Sequence, residues 1–256
     1  NLQYAPAIFG VSLRVLTVAL AAAMFYLAAR RIRAETLTRP RGGEIAPAAV
    51  YTWTGTVLAA LLLWNEVAPA AIGLAWAMLG LALVEVGRAA GDRPLLAQGR
   101  ALLVLSFARI FFADLNADRM VGPVSSRLLT VILLAAVYYF VGFTAEARAP
   151  RTRTAFLWFG TLALVALLRF ELAAEWVAVG WAALSVALYL AGRRLSEPPL
   201  NDQTYLVTLL AGMRCAFDNF YQTGDLWFTN VRTITVTLAA AVMYLLLAAT
   251  LIEKRH

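Results

Sequence analysis

The sequence predicts an all-α, polytopic transmembrane bundle of about nine helices, built as one leading helix followed by two parallel four-helix repeats. Hydrophobic residues make up 62% of the 256 positions and charged ones 14%, with a mean hydropathy of +0.73, outside the soluble range and within the polytopic membrane class. Residues 53–139 recur at 158–244 without a gap, and 28 of the 87 aligned pairs are identical. A tandem array is therefore the first feature to explain. Long continuous apolar runs, rather than alternation, argue against a β-barrel.

Residues 1–46 read as the last helix of an incomplete upstream repeat, spanning 8–29, plus a basic linker. Arg14-Val-Leu-Thr-Val resembles the segments opening at Arg127 and Arg232, so the expectation is that this is the C-terminal piece of a longer protein. The repeat at 47–150 begins with a span at 47–65 that carries Trp53, Gly55 and Thr56 and finishes on Glu66. The span at 70–87 passes Trp76 and stops at Gly87-Arg88, a glycine and a cation suited to a helix C-terminus. Pro94 marks the next start, and the span at 95–113 carries Arg109 about a turn from its end. Arg127 opens the span at 125–144. The repeat at 151–256 uses spans at 154–170, 174–191, 203–220 and 231–252, with Glu171, Arg214 and Arg232 at the equivalent places.

The net charge of +7 sits in alternate loops: Arg30, Arg31, Arg33, Arg39 and Arg41; Arg88 and Arg93; Arg148, Arg151 and Arg153; Arg193 and Arg194; Lys254 and Arg255. Under the positive-inside rule these loops are cytoplasmic, which puts the N-terminus outside and the C-terminus inside. An even number of spans per repeat makes the repeats parallel rather than inverted. That distribution fits a bilayer partner and no nucleic acid.

One Cys, Cys215, and one His, His256, leave no disulfide, haem pair or Cys/His zinc site to build, so no cofactor and no metal are expected. The residues that carry weight are Glu66, Arg109 and Arg127, with Glu171, Arg214 and Arg232 one repeat on. Two readings follow. Ion-paired to each other, the three would fix helix register. With two arginines to one carboxylate, they would equally form a site for an anionic or lipid-linked ligand, Arg109, Arg127, Arg214 and Arg232 supplying the charge. Glu85 and Arg100, present in the first repeat only, read as a local pair at the inner level. The aromatic loop with Tyr221, Trp227 and Phe228 reads as an interface anchor.

Arg109, Phe112 and Asp114, matched by Arg214, Phe217 and Asn219, together with Arg127-Leu-Leu-Thr-Val and the tandem four-helix grammar, resemble a group of uncharacterised bacterial multi-spanning membrane proteins. The resemblance covers most of 1–252. It implies the bacterial inner membrane and further repeats upstream, and brings no catalytic residues. The expected function is accordingly a non-catalytic scaffold or subunit working with other membrane or periplasmic proteins. A transporter or flippase-like pathway for an anionic or lipid-linked substrate is the first alternative. The second is an enzyme on a lipid-linked substrate at the outer face, using Asp114, Asp118, Asp218 or Asp225.

Overall fold

The computed structural model describes residues 7–8, 11–36, 47–116, 120–121, 124–145, 149–221, 225–226 and 229–253. Nine α-helices lie among them: α1 (Leu13–Thr36), α2 (Pro47–Glu66), α3 (Ile72–Ala90), α4 (Arg93–Phe112), α5 (Ser126–Thr144), α6 (Pro150–Glu171), α7 (Val177–Leu195), α8 (Pro198–Phe217) and α9 (Val231–Glu253). The fold is all-α, as the apolar runs predict. Helices α1 to α6 are each long and apolar enough to cross a membrane, so the chain is a multi-pass membrane protein. By the same measure α7 and α8 fall short, α8 carrying Asn201, Asp202, Gln203 and Arg214, while Val231–Leu246 of α9 is a further apolar stretch among the described residues.

A small hairpin precedes each of α1, α5 and α9. β1 (Ala7–Ile8) pairs with β2 (Val11–Ser12), β3 (Met120–Val121) with β4 (Val124–Ser125), and β5 (Asp225–Leu226) with β6 (Thr229–Asn230), all antiparallel. Four ladder residues close a turn before the chain enters the helix, where the apolar pattern leaves only open loops. Ser125 then caps α5 by accepting from Leu128 N at 2.9 Å, meeting one of the helix's orphan donors.

The chain divides into two compact units, Asn1–Asp114 and Leu115–His256. In the first, α1 packs along α2 and α3 along α4; in the second, α5 packs along α6 and α7 along α8, while α9 lies on α7 and α8. Packing is close where small residues allow it. A Cβ on Gly55 would stand 3.1 Å from Cε2 of Tyr26, and one on Gly160 would stand 2.8 Å from Cε2 of Tyr139. Both glycines therefore seat a tyrosine ring of the neighbouring helix, a purpose that the Trp-x-Gly-Thr pattern does not announce.

The helix ends correct one expectation. Gly87 and Gly192 do not terminate α3 and α7; both are buried inside them, Gly87 against Leu96 and Gly192 against Asn201 and Leu200. The chain leaves α3 through Gly91 (φ 64°) and α7 through Ser196 (φ 54°), the left-handed residue that a helix end uses. Pro94 and Pro199 lie in the first turns of α4 and α8 as expected.

Candidate functional site

In each unit the arginines gather at the end that bears its glutamate, Glu66 or Glu171, but in pairs other than the expected triads. Glu66, the last residue of α2, pairs with Arg14 in the first turn of α1 at 3.9 Å. Glu171, the last residue of α6, pairs with Arg127 at the start of α5 at 2.7 Å. The reason is geometric. α1 and α2 run antiparallel, as do α5 and α6, so a residue opening one helix comes level with the residue closing the next.

Each arginine of the repeat also donates to main-chain carbonyls. Arg109 donates to Pro69 O at 2.8 Å, lies 5.1 Å over the Trp64 ring, and stands 3.6 Å from Asp114. Arg127 donates to Glu171 Oε1, to Leu115 O at 3.0 Å and to Phe170 O at 3.1 Å, while Ser125 Oγ donates to the same carboxylate oxygen at 2.5 Å. Arg214 pairs with Asp218 and donates to Ala174 O. Arg232 donates to Phe220 O at 3.3 Å, and no carboxylate partner for it lies among the described residues. The acceptors are carbonyls of helix ends and turns, which have no helical partner of their own and carry the negative end of the dipole.

Asp114 and its counterpart Asn219 differ chemically in the same place. Both are buried. Asn219 donates to Glu175 O at 2.7 Å and Thr235 Oγ1 at 3.1 Å, whereas neither carboxylate oxygen of Asp114 accepts a hydrogen bond among the described residues.

A second constellation, halfway along the helices, is one that the sequence reading passes over. In the first unit Tyr26 OH contacts Thr56 Oγ1 at 2.7 Å, Thr56 donates to Gln98 Oε1 at 2.7 Å, and Gln98 Nε2 donates to Thr52 Oγ1 at 2.7 Å. Thr52 donates in turn to Ala49 O. With Tyr26 as donor to Thr56, every hydroxyl proton in this chain of bonds is used once, and α1, α2 and α4 are tied together. The second unit repeats it with Tyr139, Thr161 and Gln203 at 2.6 Å per step. Leu157 stands where Thr52 stands in the first unit, and Gln203 Nε2 is buried without a partner among the described residues. Trp76 and Trp181 add matching bonds to Ala60 O and Val165 O. The signal available in the sequence was the Gln98/Gln203 match, a wholly buried amide in each unit.

At the opposite end Glu85 bonds Arg88, three residues on in the same helix, at 3.0 Å. The expected Glu85–Arg100 pair does not form; Arg88, one helical turn on, takes the carboxylate instead. Arg153 pairs with Glu197. A cavity of about 450 Å³ opens there in the first unit among Tyr26, Arg30, Thr52 and Asp92, one cation balanced by one carboxylate. A smaller apolar cavity of about 190 Å³ adjoins Thr56, Gln98 and Trp76. Cys215 is buried with Ala178, Ala182, Ala211 and Ala239, a packing position. No cluster of His, Cys, Asp and Glu able to hold a metal occurs among the described residues. Most of the basic linker (37–46, with Arg39 and Arg41), Asp118, Arg148, Trp227, Phe228, Lys254, Arg255 and His256 lie outside them. No family model, curated protein or solved structure matches the chain.

Proposed function

We propose that the chain is a non-catalytic, tandem-repeat component of a bacterial inner-membrane assembly, a scaffold or subunit with all nine helices crossing and the Arg-rich ends cytoplasmic. The observation that carries this reading is the engagement of the arginines. Arg109, Arg127 and Arg214 each hold both a carboxylate and a main-chain carbonyl, so the charge that an anion would need is already bound within the fold. An unpaired cation in a dry interface would cost several kcal/mol, on the order of 3 on insertion scales, and these pairs avoid it. The cavity among Tyr26, Arg30, Thr52 and Asp92 supports the same reading, since its lining carries one arginine and one aspartate.

The test is a set of Arg109→Ala, Arg127→Ala and Arg214→Ala variants followed for folded protein in the membrane, native assembly and complementation. The expected result is that complementation falls only as folded, assembled protein falls. A variant that is stable and assembled yet inactive in a transport or complementation assay overturns the scaffold reading in favour of an anionic or lipid-linked ligand.

A further inference from the structure

The face by which α1 holds α2 and α5 holds α6 exists a third time, on α9, where nothing among the described residues covers it. On α1 the face is Arg14, Ala22 and Tyr26; on α5 it is Arg127, Ala135 and Tyr139; on α9 the same spacing gives Arg232, Ala240 and Tyr244. Burial separates the three. Ala22 and Ala135 are buried at 7% and 2% exposure, whereas Ala240 is exposed and Tyr244 is 72% exposed. Tyr26 and Tyr139 each bond a threonine of the helix they hold. The other side of α9 is occupied, with Thr235 and Ala239 buried towards α7 and α8. The open face is thus the one with two working examples in the same molecule.

The charged end is prepared in the same way. Arg127 uses one nitrogen for Leu115 O and presents the others to Glu171 and Phe170 O. Arg232 makes the matching bond to Phe220 O and has no carboxylate partner among the described residues. Asn230 occupies the place of Ser125, caps α9 through Oδ1 to Arg232 N at 2.9 Å, and keeps an amide donor where Ser125 Oγ reaches Glu171.

We infer that α9 is a docking face for a membrane helix of a second protein, one that carries Gly-Thr followed ten residues later by Glu. That is the pattern of Gly55-Thr56 with Glu66 and of Gly160-Thr161 with Glu171. The glycine would lie under the Tyr244 ring, the threonine would bond its hydroxyl, and the carboxylate would reach Arg232 and Asn230, with the two helices antiparallel. The helices of that pattern among the described residues are already covered by α1 and α5, so a second copy of this chain has none of them to offer. The inference deepens the scaffold reading by giving it a partner surface.

The test places the purified chain in lipid nanodiscs with a fluorescent peptide of the 22-residue α6 sequence, Pro150–Glu171, as the probe. Saturable binding is expected, absent for a scrambled peptide. A leucine cannot enter a contact built for alanine, so Ala240→Leu should weaken binding by about tenfold. Arg232→Ala and the peptide change Glu171→Gln should each weaken it by about threefold, and together by no more than either alone. Leu238→Phe, on a side of α9 that is open on α5 as well, where Leu133 is exposed, should leave it unchanged. Binding that ignores Ala240→Leu overturns the inference, because the peptide would then sit on α1, on α5 or in lipid. Self-association of the chain that Ala240→Leu abolishes also overturns it, by making a second copy the occupant. Neither result touches the scaffold reading, which fails only if an arginine variant is folded and assembled yet inactive.

Discussion

Arg127 reaches Glu171 at 2.7 Å and two carbonyls beside it, whereas Arg14 stands 3.9 Å from Glu66 with both side chains about a third exposed. In the middle of the helices the order reverses. There the first unit runs an unbroken line of bonds from Tyr26 to Thr52, and the second stops at Gln203, whose amide nitrogen has no acceptor among the described residues. The same two helices can thus be locked at the end by charge or in the middle by neutral hydrogen bonds. Charge works best where the pair is partly withdrawn from water and further donors complete the carboxylate. Neutral bonds work where the helices are wholly buried and each donor finds an acceptor.

Removing the stronger clasp should give the largest effect. Arg127→Ala leaves Glu171 with Ser125 alone and frees two carbonyls, so a loss of about 2–3 kcal/mol is expected, somewhat below that for a fully buried pair. Arg14→Ala removes a long, half-exposed pair and should cost less than about 1 kcal/mol. Unfolding in mixed detergent micelles, followed by circular dichroism, measures both. Equal losses would mean that the two ends are equivalent and that the 2.7 Å contact adds nothing the 3.9 Å contact lacks.

The helices were legible because apolar length and the 105-residue match are properties of the chain itself: spans read at 47–65 and 125–144 became Pro47–Glu66 and Ser126–Thr144. Charge inside an apolar run is visible without coordinates, so Glu66, Arg109, Arg127 and their counterparts stand out in the chain itself. Their pairing does not. Whether Glu66 meets Arg14 or Arg109 depends on which helix lies alongside α2, and the spacing within one repeat cannot rank the helix before it against the helix after it. A glycine near a helix end, such as Gly87, serves equally as a cap or as a close contact; only the positive φ at Gly91 decides. The Tyr–Thr–Gln lines were hidden because none of their members carries a charge, and a lone Gln among Leu and Ala gives no sign of what it faces.

The middle of the helices offers the next sharpest contrast. Gln98→Leu breaks two interhelical bonds and should cost roughly 1–2 kcal/mol, since such bonds in membrane bundles are worth about 0.6 kcal/mol on average and up to about 1.7. Gln203→Leu breaks one bond and also removes a buried donor without a partner, whose desolvation it relieves. Its net effect should fall within about 0.5 kcal/mol of zero. The same unfolding measurement decides. If Gln203→Leu proves as costly as Gln98→Leu, then Gln203 Nε2 does have a partner, and the contrast between the two units at this level disappears.

The smallest expected effect concerns the turns from α3 into α4 and from α7 into α8, each of which passes through one left-handed residue, a glycine in the first and a serine in the second. Gly91 sits at φ 64°, ψ 24° and Ser196 at φ 54°, ψ 43°, both in the left-handed region, where a side chain costs about 1 kcal/mol and a glycine costs none. A Cβ on Gly91 would meet no atom within 4 Å, and Ser196 is exposed, so neither position has packing to gain or lose and the backbone term stands alone. Against it runs the extra freedom that glycine gives the unfolded chain, which returns about half of the gain. Ser196→Gly should therefore stabilise the second unit by roughly 0.5 kcal/mol, and Gly91→Ser should destabilise the first by a similar amount. Mirror-image shifts of the unfolding midpoint would establish that the two turns are the same device. A loss of stability in Ser196→Gly would show instead that the serine hydroxyl holds the turn, and that the second unit has replaced a conformational solution with a hydrogen-bonded one.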